Sequence, residues 1–400
     1  MSTTVKIEDP DAKPPPGFAL FALGFRPFFL LAGISATLLV PLWVYNFAGA
    51  EPAYGYYDPL TWHGHEMLFG YTVAVIAGFL LTAARNWTGL PTPSGVWLVA
   101  LVLLWLAGRL LPFFAEAVPP WVIAAVDLMF LPALAIAIAV PILRSGQKQQ
   151  LVFLLVLAAL SCANLMVHLQ LLGLQASSAG AGLKLAVSLV VLLVALLGGR
   201  VIPFFTDRGL GREDSRQWKT IEILAVASLV AVMAMELATA PQNAIAVAAA
   251  LAASVHSVRL YGWYRSGVWR VPLLWVLYLA YAWLIAGLLL HALGAGGLID
   301  PRLYLHAFTL GVIGAMTLGM MARVSLGHTG REIAVGWTTT LAFVLANLAA
   351  LTRVVLPLFD AQNYSLWIML AGILWTLSFA IFVLVYARIL VMPRIDGRPG

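Results

Sequence analysis

Twelve stretches of predominantly apolar sequence follow one another through nearly the whole chain. They lie at about 28–48, 62–84, 95–114, 120–143, 150–174, 180–204, 218–238, 243–262, 271–294, 301–325, 334–357 and 364–391. Roughly 20 apolar residues are enough to cross a bilayer as a helix. In hydrocarbon every backbone N–H and C=O needs an internal partner, so each stretch is expected to be helical. The fold class is therefore all-α, a polytopic membrane protein of twelve transmembrane helices. Hydrophobic residues make up 62% of the chain and charged residues 10%, against about half and a quarter in soluble domains. Too little chain remains between the stretches for a soluble domain, so residues 18–392 read as one twelve-helix domain. Residues 1–17 are polar, contain Pro14-Pro15-Pro16 and lack an apolar signal core, so they read as a disordered tail. Residues 393–400 form a second short tail.

Cationic residues orient such a bundle, because Lys and Arg accumulate on the cytoplasmic side. Assigned to the nearest span end, nineteen of the 23 fall on one side. Only Arg109, Lys184, Arg302 and Arg353 fall opposite, on a face that also carries Glu51, Asp58, Glu116, Asp300 and Asp360. Both termini are expected in the cytoplasm. The basic residues are scattered at span ends, so the net charge of +6 is not a nucleic-acid footprint. The single cysteine, Cys162, excludes a disulfide framework and a thiolate metal cluster.

Spans two and ten resemble each other. Asp58-Pro59 and Asp300-Pro301 open them, as a capping Asp followed by Pro would. His65 aligns with His306 after a one-residue slip; Gly70 and Gly78 then match Gly311 and Gly319, and Thr88-Gly89 matches Thr329-Gly330. A fainter echo relates His168 and Arg200 to His291 and Arg323. Spans two and ten are expected to lie close together, with His65 and His306 facing one another.

All seven histidines fall within or at the ends of spans, where ionisable groups are costly and commonly functional. His63, His65, His168, His291 and His306 share the outer level and form a candidate metal or haem-ligand set. Histidines also favour interfaces for their wet polar tips, which is the plainer explanation for any single one. At i and i+2 on a helix, His63 and His65 point about 200° apart. Either one is a ligand and the other its hydrogen-bonding neighbour, or they serve two centres. His256 and His328 lie near the inner face and form a candidate second haem pair. Glu66, Asp127 and Glu236 are candidate proton-relay groups, or structural partners of nearby cations. Arg200 and Arg323 are candidate partners of haem propionates, or ordinary positive-inside anchors.

Several blocks of the chain resemble the NnrS family, bacterial multispanning membrane proteins described as containing haem and copper and associated with nitric oxide metabolism. They are Gly24-Phe25-Arg26-Pro27-Phe28-Phe29, Trp62-His63-Gly64-His65-Glu66-Met67-Leu68-Phe69-Gly70, Ile76-Ala77-Gly78-Phe79-Leu80-Leu81-Thr82-Ala83, Asn86-Trp87-Thr88-Gly89, Gly199-Arg200-Val201-Ile202-Pro203-Phe204-Phe205-Thr206 and the run from Met321 to Arg331. The resemblance implies haem, copper and a role in relieving nitric oxide stress. It carries no ligand map. With no Cys-x-x-Cys-His in the chain, haem would be held without covalent attachment, as a b-type group. If the protein is an enzyme, it is an oxidoreductase of the nitric oxide reductase type with an electron donor still to be identified. A secondary transporter also fits twelve spans with cytoplasmic termini, and a metal-free sensor or assembly partner is a third alternative.

Overall fold

The computed structural model describes residues 17–52, 54–211, 215–300 and 302–398. The expected tail up to Pro16, Arg212 and Pro301 lie outside the described residues. The described residues form an all-helical bundle with twelve helices long and apolar enough to cross a membrane. They are α1 (Phe25–Phe47), α2 (Pro59–Thr88), α3 (Val96–Phe114), α4 (Pro120–Arg144), α5 (Lys148–Leu171), α6 (Ala179–Leu210), α7 (Lys219–Leu237), α8 (Gln242–Trp263), α9 (Pro272–Ala295), α10 (Leu303–His328), α11 (Trp337–Phe359) and α12 (Tyr364–Val391). The largest departure from the sequence reading is α6. It continues past Pro203 and stops only where Gly211 turns left-handed, φ +63°.

Helices adjacent in sequence pack on one another, and α12 returns to pack on α1. The most buried spans are α2 and α10, with 89% and 72% of their crossing stretches enclosed, against 17% for α7. These two helices are the inner elements, and the large apolar residues exposed on the others form a surface suited to lipid tails.

The two inner helices share more than burial. In each, α-helical geometry ends at the aligned histidine, His65 or His306. A π-helical stretch follows, Glu66–Thr72 in α2 and Ala307–Gly314 in α10. Asp58 Oδ1 accepts from the Leu60 and Thr61 N–H groups, and Asp300 Oδ1 from Arg302 N–H. At the far ends, Thr88 and Thr329 each donate to the carbonyl four residues back at 2.6 Å, and Gly89 and Gly330 are left-handed. A π turn widens the helix and rotates everything beyond it, and such segments cluster at functional sites. The two helices meet where the Tyr71 and Thr317 hydroxyls lie 2.5 Å apart.

Candidate functional site

Two sites lie on different sides of α2, both towards the cation-poor end of the bundle. The first is a buried polar centre around His65. Its Nδ1 lies 3.2 Å from Glu66 Oε1; its Nε2 lies 3.2 Å from Asp127 Oδ2 and 3.0 Å from Asn164 Oδ1. Asp127 Oδ2 also accepts from Asn164 Nδ2 at 2.7 Å and sits 2.9 Å from His168 Nε2. Arg109 donates to Glu66 Oε1 at 2.9 Å and pairs through its other terminal nitrogen with Asp127 Oδ1. His168 Nδ1 reaches the Tyr56 hydroxyl at 2.9 Å. His65, His168, Glu66 and Asp127 are all buried.

Why these groups meet follows from local structure. Gly70 lets Arg109 approach, because a Cβ there would lie 3.1 Å from Arg109 Nη1 and 3.0 Å from Glu66 Oε2. The Gly70 carbonyl, within the π stretch, accepts from Trp105 Nε1 at 3.2 Å. Burial pushes the Tyr56 and Tyr57 hydroxyls above their ordinary pKa, for Tyr57 with the Glu66 charge adding to it, so both stay protonated beside the histidines.

The chemistry of this centre is set by charge. Arg109 offsets one of two buried carboxylates. The other is balanced by a proton, on its own oxygen or on an imidazole, or by a bound cation, since an unpaired buried charge is costly. Both His65 nitrogens face acceptor oxygens, which fits either state. One atom each from His65, Asp127 and His168 lie within 4.8 Å of one another, so the three form a group that could hold a metal ion. Two imidazoles and a carboxylate suit copper, zinc or iron.

The second site is a cavity of about 310 Å³ bounded by α1, α2, α6, α10, α11 and α12. Small-molecule and cofactor pockets run from roughly 300 to 1,000 Å³, are mostly apolar, and carry a few placed polar groups. Here the apolar wall includes Trp43, Met67, Ile313 and Trp375, and the polar groups include His63, His306, Lys184 and Arg353. The His63 ring is stacked on Trp43 with centroids 4.3 Å apart. His306 Nδ1 is buried, and among the described residues no hydrogen bond to it is formed. Arg353 is buried, and among the described residues its hydrogen bond goes to the Tyr364 hydroxyl at 2.8 Å.

The expected pairing of His65 with His306 is therefore not the one formed. His63 shares the cavity with His306, while His65 turns to Asp127 and His168. The i, i+2 spacing puts His63 and His65 on opposite sides of α2, and each side packs against different helices. Glu66 accordingly serves His65 and Arg109, not His63.

The remaining candidates are dispersed. His291 Nε2 lies 3.2 Å from Glu236 Oε1, and its ring stacks on Tyr304 at 4.0 Å in a separate cluster. His256 has both nitrogens engaged, with the Tyr281 hydroxyl at 2.6 Å and the Ala225 carbonyl at 3.1 Å. His328 packs against Phe25 at the cation-rich end, so the two inner histidines have different neighbours and do not form a pair. Arg200 is exposed and Arg323 lies over the Phe205 ring; neither lines the cavity.

Lys184 and Arg353 in the cavity, and Arg109 and Asn164 in the polar centre, were not singled out as site residues from sequence. A signal existed for three of them. Arg109, Lys184 and Arg353 are three of the four cations that break the charge asymmetry, and a cation on the wrong side needs a local reason to be there. Asn164 carried no such mark.

A twelve-helix bundle with an apolar cavity and a buried His–Asp–His group that could hold a metal ion defines a polytopic membrane protein. Over residues 19–394 the chain matches the family described as NnrS protein, and it belongs to that family. Membership fits a membrane protein of nitric oxide metabolism. No curated protein matches the chain.

Proposed function

We propose that this chain is a haem protein of the bacterial inner membrane that binds nitric oxide, and in its catalytic form reduces it, relieving nitric oxide stress. The observation that carries this reading is the cavity in which His63 and His306 face the same apolar space as Lys184 and Arg353. His63 and His306 would hold a haem there, and Lys184 and Arg353 would pair with its propionates. His306 Nδ1, buried and without a hydrogen bond among the described residues, is a nitrogen that such a group could engage. The His65, Asp127 and His168 donors fit the copper that family membership implies. Haem held there would supply a redox-active iron able to bind nitric oxide.

The protein's own residues do the rest. Trp43 fixes the plane of the His63 ring. Lys184 and Arg353 orient anionic groups at the cation-poor end. The apolar wall excludes water and admits nitric oxide, which is small and apolar enough to arrive through lipid. Reduction of two NO to N₂O and water consumes two electrons and two protons. With His65, Asp127 and His168 given to the metal, Glu66 on His65 Nδ1 and the Tyr56 hydroxyl on His168 Nδ1 are the neighbouring groups that would hold those protons.

The test is an absorption spectrum with metal analysis of the purified protein. A Soret band near stoichiometric with protein, shifting on addition of nitric oxide, is the expected result. A protein purified without Soret absorption or metal would overturn the reading. It would return the cavity, with its two cations, to an anion transporter or a metal-free sensor.

A further inference from the structure

The ring of His63 is connected to the protein surface. It stacks on Trp43 with centroids 4.3 Å apart and planes inclined by 27°. Trp43 in turn stacks on Phe47 at 5.4 Å and 26°. Residues four apart share a helix face, so α1 presents both rings in one column. Trp43 is 8% exposed and Phe47, the last residue of α1, is 40% exposed. The column thus runs from the cavity wall to the surface at the cation-poor end. His306, the other cavity histidine, has no ring neighbour among the described residues.

The exposed charges on the segments that flank the surfaced end are acidic. Glu51 is exposed four residues beyond Phe47, and Asp58 is exposed at the head of α2. Glu116 is exposed on the adjoining loop, which is held close: a Cβ built on Gly55 would lie 3.4 Å from the Ala115 Cβ. Of the four cations of this end, Lys184 is exposed beside the cavity on α6, and the other three are engaged or withdrawn. Arg302 pairs with Asp300 at 2.7 Å, and Arg109 and Arg353 are buried.

We propose that electrons reach the cavity along the Phe47–Trp43–His63 column, delivered by a small basic one-electron carrier protein that docks on the acidic face around Glu51 and Glu116. The proposal rests on the haem reading above. The step is an outer-sphere transfer: the reduced carrier loses one electron, the haem gains it, and no bond or proton changes hands. Two such transfers serve each pair of nitric oxide molecules. Electron tunnelling falls off exponentially with distance, and rings in van der Waals contact leave no gap to cross. Charge complementarity sets the encounter rate, which is why a basic carrier fits this face and not the cation-rich opposite end.

The test is stopped-flow reduction of the purified holoprotein, without oxygen, followed at the Soret band. The probes are a reduced basic c-type cytochrome and dithionite. With the cytochrome, the second-order rate should fall about tenfold or more as salt rises from low to several hundred millimolar. In the E51K/E116K variant the low-salt rate should drop by about tenfold while the dithionite rate holds. W43L should slow transfer at saturating cytochrome with the salt dependence intact, and W43F should restore it. A rate insensitive to salt and to charge reversal overturns the docking face. W43L matching wild type, with its Soret band intact, overturns the column. A wild-type protein with no Soret band overturns the haem reading instead, and is seen before any kinetics are run.

Discussion

His63 and His65, two residues apart on α2, look into different compartments: His63 stacks on Trp43 at the wall of an apolar cavity, and His65 sits between Glu66 and Asp127 in a buried polar centre. One turn of helix thus joins two chemically distinct sites. The cavity excludes charge except for its cations, and the polar centre concentrates carboxylates.

This separation predicts that haem and metal respond to different substitutions. H63A and H306A should each lose most of the Soret absorbance. H65A and H168A should keep it and lose the second metal. Metal analysis and absorption spectra on the same four preparations check the pattern. Loss of Soret absorbance in H65A with retention in H63A would reverse the assignment of the two sites.

Arg109 is the second test. It bonds both Glu66 and Asp127, and its removal would leave two buried carboxylates without their cation. Breaking a buried ion pair from one side costs about 3–5 kcal/mol. R109M should therefore lower thermal stability in detergent by that order, while the triple variant R109M/E66Q/D127N should recover much of the loss. An R109M protein as stable as wild type would mean the pair is hydrated and the centre is open to water.

How far the sequence led depends on which physical scale set each feature. The spans were legible because hydrocarbon forces every stretch to be helical. The repeat of α2 and α10 was legible too, and it recurs in the capping Asp residues, the histidines ahead of the π stretches and the left-handed Gly89 and Gly330. The π stretches themselves were not legible. Nothing in Glu66–Thr72 marks one extra residue per turn, yet that turn decides what lies beneath each histidine. The partners of His63 and His65 were likewise hidden, because they come from α1, α4, α5 and α10, and helix–helix packing is not written in any one helix. The wrong-side cations were visible, and treating them as exceptions rather than as signals hid Lys184 and Arg353.

Close approach at the π stretch of α10 gives a third prediction. A Cβ on Gly311 would lie 2.4 Å from Trp283 Cγ, whereas a Cβ on Gly180 meets nothing within 4 Å. G311A should destabilise the bundle by about 1–3 kcal/mol through overpacking against the half-buried Trp283 ring. G180A should be neutral, or stabilising by a few tenths to about 1 kcal/mol through helix propensity. Thermal unfolding of both in one detergent makes the comparison. Equal midpoints would show that Trp283 yields, and that α9 and α10 are less tightly packed than their geometry implies.

Orientation in the membrane is the last prediction, and the four wrong-side cations strengthen it. Arg109 is tied to Glu66 and Asp127, Arg302 to Asp300, and Lys184 and Arg353 line the cavity. Each has a local reason for its position, so none counts against the asymmetry of the other nineteen. Both termini should therefore lie in the cytoplasm, with the cavity and the His65 centre towards the opposite face. Reporter fusions at Gly146, Gly211 and Gly267 should all be fluorescent and phosphatase-inactive. A phosphatase-active fusion at Gly211 would invert the bundle. The acidic face around Glu51 and Glu116 would then turn inward, and an electron donor would have to be sought in the cytoplasm.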